Sequence, residues 1–379
     1  MNTKTLGEMC EIIMGQSPPS STYNTSGNGL PFFQGKTDFG TMHPTTKVWC
    51  SKPLKVAEKG DILISVRAPV GPTNIAIEKC CIGRGLAAIR PRKQTLSEYV
   101  LYFLRFIEPY IAARGQGSTF QAINKTQLET LTMPNPSQIE QKQIASTLSK
   151  LDRSIQKCGR IRELSDNYPL SLFHKMFGNP QDNDKDWDLV QVQELFDMKL
   201  GKMLSAKNYT GRNLKPYLRN VNIQWDKLDL SDIKKMDFDD KDLETYRLKP
   251  GDILVCEGGE VGRTAIYNGE IVNCCYQNAL HRLRIKQDSI NPIYFVYFMM
   301  LASRSGLIER DTTRVTIAHF TQDKFKKFLI PLPPLPIQND FAMKVLALKK
   351  IKETQLKSVE KLNLLLASLS NKYFNIGVG

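Results

Sequence analysis

Polar, planar and basic side chains stand beside predicted turns in both halves of the chain. Arginine can bind guanine through two hydrogen bonds, glutamine and asparagine can bind adenine, and hydroxyl groups can bind phosphate. We therefore predict one DNA-contacting set in each half, although any single member could equally be a solvated surface residue. The predicted set comprises Gln34, Lys36, Arg67, Gln116, Ser118, Thr119 and Lys125 in the first half and Arg219, Asn220, Arg263, Gln277, Asn278, Arg314 and Thr316 in the second.

Catalytic motifs are incomplete in this sequence. Ser17-Pro18-Pro19-Ser20 is similar to an element of amino-methyltransferases, but the fourth position lacks the aromatic ring that stacks a flipped base. The paired glycines of Gly83-Arg84-Gly85 are weak evidence for a cofactor loop, because no helix start follows them. The acidic run 182–185 lies in a predicted linker, and the four histidines lack metal-ligand spacing. We therefore expect no catalytic residue, cofactor or metal on this chain.

The elements that carry these side chains occur twice. Gly60-Asp61-Ile62-Leu63 returns as Gly251-Asp252-Ile253-Leu254, and Val70-Gly71 returns as Val261-Gly262. In each copy a glycine-aspartate turn leads into an alternating strand and then into a helical stretch rich in tyrosine, phenylalanine and leucine. The pattern predicts an α+β fold with an internal repeat, in which two α/β domains carry the two polar sets.

A long amphipathic helix is predicted after each globular segment. Proline-rich stretches at Pro134 and Pro331 end the globular parts, since proline lacks an amide donor. The two helices then match without gaps at a constant offset of 197 residues. Apolar residues recur near a and d positions of a heptad, with Lys352 and Gln355 interrupting the seam. We expect the helices to pack antiparallel as a rod on the order of 50 Å long; the alternative is that each helix covers only its own domain.

These boundaries predict five segments. Residues 1–133 and 187–330 form the two recognition domains, residues 134–178 and 331–379 form the helices, and residues 179–186 form a polar linker. Pro169 lies inside the central helix and is expected to kink or end it, at a cost of about 3 kcal/mol in a regular helix.

Composition favours a polyanionic partner. The chain has 379 residues, 41% of them hydrophobic, and carries a formal net charge of +14. A basic excess suits nucleic acid, because each lysine or arginine placed against a phosphate releases condensed counterions. Adjacent cysteines at Cys80-Cys81 and Cys274-Cys275 lie in apolar strand-like runs, which indicates buried thiols in a reducing cytoplasm. We expect no membrane span and no secretory signal.

The repeated motifs resemble those of the DNA-specificity subunits of type I restriction–modification systems. The resemblance rests on the duplicated Gly-Asp-Ile-Leu and Val-Gly pattern and on Ile330-Pro331-Leu332-Pro333-Pro334-Leu335 with Gln338 before a long helix. Gly15-Gln16-Ser17-Pro18-Pro19-Ser20 and Gln34-Gly35-Lys36 are similar to the start of a target-recognition domain in that family. The central copy, Met133-Pro134-Asn135-Pro136, is less proline-rich than the C-terminal one.

The resemblance implies two target-recognition domains held apart by two antiparallel helices, each domain reading one half of a split sequence in double-stranded DNA. It implies a subunit without catalysis that carries two methyltransferase subunits, which bind S-adenosylmethionine, and in some complexes restriction subunits as well. Two alternatives stay open. One is a stand-alone DNA-binding decoy or regulator, and the other is the recognition part of a larger fused enzyme, disfavoured because the chain begins and ends without an enzymatic segment.

Overall fold

The computed structural model describes residues 2–114, 122–203, 210–310 and 321–375. The chain divides into two compact units: unit 1 comprises residues 1–160 with 355–379, and unit 2 comprises residues 161–354. Each unit therefore combines one globular segment with part of each long helix. Both units mix strands and helices, as the sequence predicts.

The first repeat begins with short strands and ends with a long helix. Its strands are β1 (Thr3–Thr5), β2 (Cys10–Met14), β3 (Tyr23–Asn24), β4 (Leu30–Phe33), β5 (Trp49–Cys50), β6 (Val56–Ala57), β7 (Ile62–Ser65), β8 (Thr73–Ile75), β9 (Cys80–Ile82), β10 (Leu86–Pro91) and β11 (Thr132–Pro134). Its helices are α1 (Leu6–Met9), α2 (Ser97–Phe106), α3 (Glu108–Arg114), α4 (Lys125–Glu129) and α5 (Gln138–Phe177).

The second repeat follows the same plan. Its strands are β12 (Leu189–Gln191), β13 (Phe196–Leu200), β14 (Leu214–Leu218), β15 (Ile223–Gln224), β16 (Lys227–Leu228), β17 (Lys234–Asp237), β18 (Asp252–Cys256), β19 (Thr264–Tyr267), β20 (Cys275–Tyr276), β21 (Leu280–Ile285) and β22 (Leu329–Pro331). Its helices are α6 (Val192–Leu195), α7 (Asp240–Tyr246), α8 (Pro292–Arg304), α9 (Leu307–Arg310), α10 (Gln322–Lys327) and α11 (Leu335–Phe374).

Sheet topology is shared by the two repeats, which confirms the predicted duplication. The sheet order β2-β10-β7-β8 in unit 1 matches β13-β21-β18-β19 in unit 2, and the pair β1-β11 matches β12-β22. The remaining strands share one parallel pair, β4-β9 in unit 1 and β14-β20 in unit 2. Around this pair they differ: unit 1 has the sheet β3-β5-β4-β9-β6, whereas unit 2 has β17-β14-β20 and β15-β16. The repeats have therefore diverged in the strands that flank the parallel pair.

A buried glutamine anchors the start of each long helix. In unit 2, Gln338 accepts a hydrogen bond from the backbone N–H of Asn291 (2.8 Å) and donates to the carbonyls of Ser289 (3.2 Å) and Pro333 (2.6 Å). In unit 1, Gln141 binds Leu96, Gln94 and Pro136 in the same way. The repeated proline-glutamine motif thus ties the helix to the loop before α8 or α2.

In each unit, the first turns of one long helix contact the last turn of the other. In unit 1 the buried side chains of Leu148 and Phe374 belong to one hydrophobic core. In unit 2 the rings of Phe177 and Phe341 lie 5.4 Å apart, and Lys352 donates to Asp166 (2.8 Å). This ion pair accounts for the polar residue at position 352 in the apolar seam.

Helix α5 does not end at Pro169, contrary to one of the two outcomes we expected. The helix continues to Phe177. Its last turns bury Phe173 and Phe177 in the hydrophobic core of unit 2, where Phe173 stacks on Tyr294 with ring centroids 5.4 Å apart. We attribute the continuation to this aromatic packing, which offsets the hydrogen bond that proline cannot donate.

The paired cysteines are buried, as predicted. Cys80 and Cys81 lie in two different hydrophobic clusters, and so do Cys274 and Cys275. This separation follows from the alternation of side chains across a strand. Among the described residues, no helix is long and apolar enough to span a membrane.

Candidate nucleic-acid interface

Several strand ends of unit 1 meet at one backbone junction, which we call junction 1. It joins the turns after β2, β4, β7 and β9 to the start of β10. The hydrogen bonds that hold it are Gly15 N–H to Leu86 O (2.9 Å), Gln16 N–H to Ile82 O (3.0 Å), Gly83 N–H to Phe33 O (2.8 Å) and Val66 N–H to Gly85 O (2.9 Å). Turns that are far apart in sequence are thereby fixed side by side on a rigid sheet.

Glycine is required at junction 1 because the backbones approach too closely for a side chain. A Cβ atom on Gly15 would lie 2.2 Å from the carbonyl oxygen of Gly83, and a Cβ atom on Gly85 would lie 2.2 Å from that of Gln34. Both contacts are with backbone atoms, which cannot rotate away as a flexible side chain can. Gly83 and Gly85 therefore have a structural role, because they lie where backbone segments pass in close contact.

Junction 1 presents exposed polar and cationic side chains. Gln34 and Lys36 follow β4, Arg67 follows β7, and Arg84 lies between the two crossing glycines. Within the described residues, Lys36, Arg67 and Arg84 have no carboxylate within ion-pair distance. Sequence reasoning missed Arg84, although its place between two glycines at a strand end was a usable signal.

One further predicted contact, Lys125, lies on the helix that follows the segment bridged to junction 1. Arg67 forms a backbone bridge with Ala122, and Ile123 N–H donates to Val66 O (3.0 Å). Lys125 lies in the first turn of α4 and is 3.6 Å from Glu129, an exposed pair that contributes little to stability. The predicted residues Gln116, Ser118 and Thr119 lie outside the described residues.

Unit 2 contains a matching arrangement, junction 2. A Cβ atom on Gly201 would lie 2.2 Å from the carbonyl oxygen of Gln277, so glycine is again required. The hydrogen bonds that hold the junction are Gly201 N–H to Leu280 O (3.0 Å), Lys202 N–H to Tyr276 O (3.1 Å), Gln277 N–H to Leu218 O (3.1 Å) and Glu257 N–H to Ala279 O (3.0 Å). Junction 2 brings together the turns that carry Arg219 with Asn220 and Gln277 with Asn278.

Two of the three predicted arginines of unit 2, Arg219 and Arg263, are engaged within the fold. Arg219 forms an ion pair with Asp232 (2.7 Å), and Arg263 forms one with Glu260 (3.0 Å); their side chains are only 17% and 15% exposed. Arg263 also donates from Nη2 to the carbonyl oxygen of Asn220 (2.8 Å). Both arginines stabilise the turns that carry the predicted residues, and their contact with bases stays a prediction.

Lys202 is a further member of junction 2 that sequence reasoning missed. Its ammonium donates to the Asp237 carbonyl (2.9 Å) and to Asp242 (2.5 Å), and lies 5.0 Å from the centre of the Phe238 ring. Its position directly after Gly201 was the sequence feature that could have identified it. The predicted residues Arg314 and Thr316 lie outside the described residues.

The Asp237 carboxylate holds the loop beside Lys202. It accepts hydrogen bonds from the backbone amides of Thr210 (2.6 Å), Gly211 (2.8 Å) and Asn213 (2.7 Å). The amide of Asn213, followed by those of Gly211 and Thr210, lowers the pKa of Asp237 to about 2. The carboxylate is therefore charged at neutral pH, and its role is to fix loop geometry.

The two junctions differ in electrostatics. Junction 1 has exposed cations that can meet phosphate groups. Of the described cations at junction 2, Lys202, Arg219 and Arg263 are each paired with a carboxylate. Among the described residues, no cluster of histidine, cysteine, aspartate or glutamate has the geometry of a metal site. Both junctions have the donors and acceptors that base edges require, held on rigid strands.

The chain is similar to known specificity subunits of type I restriction–modification systems. Residues 1–166 and 184–361 match the family model described as the type I restriction modification DNA specificity domain. Over 147 residues the chain is 51% identical to a putative type I restriction enzyme MjaX specificity subunit of Methanocaldococcus jannaschii, a match that covers 38% of this chain and 35% of that relative. Over 369 residues it is 23% identical to the type I restriction enzyme MjaIX specificity subunit of the same organism, covering 90% and 84%.

A solved structure shares the fold over most of the chain. The crystal structure of the type I restriction–modification system S subunit from M. genitalium superposes with a TM-score of 0.61 at 16% sequence identity. The match covers 98% of this chain and 96% of that one.

Proposed function

The chain belongs to the type I restriction–modification DNA specificity family, and we propose from this premise that it is the DNA-binding subunit that reads a two-part target sequence. The observation that carries the proposal is the pair of junctions, each held by glycine at equivalent places of a duplicated sheet. One such junction per repeat gives one recognition surface per half-site.

Phosphate contacts position each recognition domain, and base contacts specify the sequence. In unit 1 the exposed Lys36, Arg67 and Arg84 suit the first role, and Gln34 suits the second. In unit 2 the amides of Asn220, Gln277 and Asn278 provide donors and acceptors beside braced arginines. The net charge of +14 supports association with DNA that weakens as salt is raised.

The two long helices set the distance between the half-sites. Support comes from the helix contacts within each unit: Leu148 with Phe374 in one core, and Phe177 with Phe341 in the other. An antiparallel pair with 1.5 Å rise per residue is a stiff spacer. Its length therefore determines the number of unread base pairs between the half-sites.

Methyltransferase subunits bind the chain, with restriction subunits added in some complexes. Exposed apolar side chains on the helices support a protein partner: Ile139 is 72%, Leu164 70%, Met343 64% and Leu364 72% exposed. We propose two methyltransferase subunits, one for each repeat. S-adenosylmethionine binds on those subunits and not on this chain.

Binding-site selection from random DNA tests this function. The chain is assembled with its methyltransferase subunit, and bound sequences are recovered and aligned. We expect two specified tracts separated by an unspecified gap of constant length. A single continuous tract, or no enrichment by an assembled complex, would contradict the proposal.

Spacer length can be tested in the same assay. A seven-residue insertion near Ser165 in α5, matched by one at the facing level of α11, lengthens both helices by about 10 Å. We expect the gap to change while both tracts stay the same. Altered tracts at unchanged spacing would show that the helices do not measure the gap.

A further inference from the structure

Two equivalent positions on the long helices carry opposite charges. The helices align through buried residues, with Gln141 matching Gln338 and Leu148 matching Val345. One turn beyond Leu148 lies Asp152, and one turn beyond Val345 lies Lys349. Because the two helices otherwise share this buried register, the reversal of charge at one position calls for a physical reason.

In unit 1, Asp152 meets a cation from the globular segment. Arg105 on α2 donates from Nη1 to Asp152 Oδ2 (2.9 Å), and Tyr102 donates its hydroxyl to the same oxygen (3.4 Å). Arg105 also donates from Nη2 to the carbonyl of Thr41 (2.9 Å) and lies 3.3 Å from the sulfur of Met42. The arginine thus joins the long helix to the turn before β5.

In unit 2 the same joint is built with the charges reversed. Lys349 donates to Asp226 Oδ1 (2.6 Å), and Tyr297 donates its hydroxyl to Asp226 Oδ2 (2.9 Å). Asp226 lies in the turn between β15 and β16. The lysine therefore joins the long helix to a turn of the second globular segment.

The partner residues have also changed places. Tyr102 and Tyr297 are equivalent, and three residues later α2 has Arg105 where α8 has the buried Met300. The turn of unit 1 has Met42, four residues after Asp38, where the turn of unit 2 has Asp226, four residues after Asn222. Asp38 and Asn222 are themselves equivalent, since each side chain caps the 3₁₀ turn that it ends.

We infer that these two triplets, Met42-Arg105-Asp152 and Asp226-Met300-Lys349, form a charge code that matches each recognition domain to its own long helix. A domain placed on the wrong helix meets a like charge: Arg105 would face Lys349, or Asp226 would face Asp152. Each like-charged group would be partly removed from water without a partner, which is unfavourable. This inference goes beyond the proposed function, and its test measures protein stability without DNA.

A double-mutant cycle in the full chain tests the joint of unit 1. Asp152→Lys places two cations together, and Arg105→Glu places two carboxylates together, so each single variant should lower the melting temperature. The double variant restores an opposite pair and should melt above both single variants. The hydrogen bond from Arg105 to Thr41 is lost in the Arg105→Glu single and double variants alike, so it cancels in the cycle. Arg153→Glu is the control for the effect of reversing a charge. Arg153 is an exposed neighbour that has no ion pair among the described residues.

An exchanged chain tests the code itself. Residues 187–330 are replaced by a second copy of residues 1–133, which sets the copied Arg105 against Lys349. Lys349→Asp should lower the melting temperature of the natural chain and raise that of the exchanged chain, while Lys350→Asp should not show this reversal. The inference would be overturned if the melting temperature of the double variant fell by the sum of the decreases in the two single variants. So would an exchanged chain that Lys349→Asp leaves unchanged or destabilises.

Discussion

Arg284 donates hydrogen bonds to both carboxylate oxygens of the buried Asp252, from Nε to Oδ1 (2.7 Å) and from Nη2 to Oδ2 (2.8 Å). The second oxygen also accepts the backbone N–H of Lys249 (2.7 Å). Unit 1 repeats the arrangement with Arg90 and Asp61. The repeated glycine-aspartate turn is therefore conserved between the halves because its carboxylate joins two neighbouring strands, β18 to β21 and β7 to β10.

Asp252→Ala should destabilise unit 2 without touching the recognition surface. The change leaves the Lys249 amide unpaired and removes the carboxylate held by Arg284, so we expect a loss of about 2 kcal/mol in the free energy of unfolding. Urea unfolding measures it. Asp288→Ala, which removes an exposed carboxylate without an ion pair among the described residues, is the control. Equal loss in both variants would show that the buried pair is not the cause.

Gln338→Leu should weaken the start of α11. Leucine fills a similar volume but leaves the Asn291 amide and the carbonyls of Ser289 and Pro333 without their partner, a cost of about 3 kcal/mol. Asn339→Ala removes only an exposed hydrogen bond to Asn291 and should cost less than about 1 kcal/mol. Thermal unfolding of the two variants compares them, and a Gln338→Leu variant as stable as the natural chain would disprove the anchoring role.

Arg67→Ala and Arg263→Ala should have different effects. Arg67 is exposed, so its loss should weaken DNA binding by the assembled complex roughly tenfold while the melting temperature stays constant. Arg263 holds the Asn220 carbonyl, so its loss should lower the free energy of unfolding by roughly 1 kcal/mol before any effect on DNA. Fluorescence anisotropy and thermal unfolding separate the two effects. A stability loss in Arg67→Ala would reassign that arginine to a structural role.

The loop held by Asp237 should loosen in acid. Its folded-state pKa of about 2 lies below its ordinary value of 3.8, so its contribution to stability is present above about pH 4 and is lost as the pH falls toward 2. Hydrogen exchange at the amides of Thr210, Gly211 and Asn213 should accelerate in that range beyond the intrinsic change. In Asp237→Asn these amides should already exchange fast at pH 5. Protection that persists in this variant would show that the charge is not needed.

Thiol labelling should find one reactive cysteine. All eight cysteines lie within the described residues, and Cys158 is the one that is not buried. Burial raises the pKa of Cys10, Cys80, Cys274 and Cys275 to about 12, so these thiols stay protonated and unreactive even at pH 9. We expect one fast equivalent in the native protein and its loss in Cys158→Ser. Several fast equivalents would mean that the sheets open readily.

Local patterns were sufficient to predict the duplicated elements. The glycine-aspartate turns at Gly60 and Gly251 predicted β7 and β18, and the proline-glutamine motifs predicted the starts of α5 and α11. These features depend on residues close together in the chain. The predicted alternation of the two strands was wrong, because all residues of β7 and β18 are buried. The buried role of Gln338 followed from its neighbours in space, and its position in the motif did not reveal it.

Long-range partners were not readable in the same way. The sequence shows that Arg219 and Arg263 stand beside turns, but only the fold reveals that Asp232 pairs with Arg219 and that the Asn220 carbonyl accepts a hydrogen bond from Arg263. From the local sequence, Pro169 predicted an interruption of the helix. The helix continues because of aromatic contacts beyond Pro169, and the residues that make them come from a distant part of the chain. The opposite charges at Asp152 and Lys349 likewise gain meaning only with Arg105 and Asp226 in place.

Methylation mapping tests the central claim most directly. The chain is co-expressed with its methyltransferase subunit in a host without DNA methylation, and modified bases are located across the genome. We expect a split motif, methylated on adenine in both halves, with a gap of fixed length. A continuous motif, or no new methylation by a complex shown to assemble, would contradict the reading of two half-sites by two recognition domains.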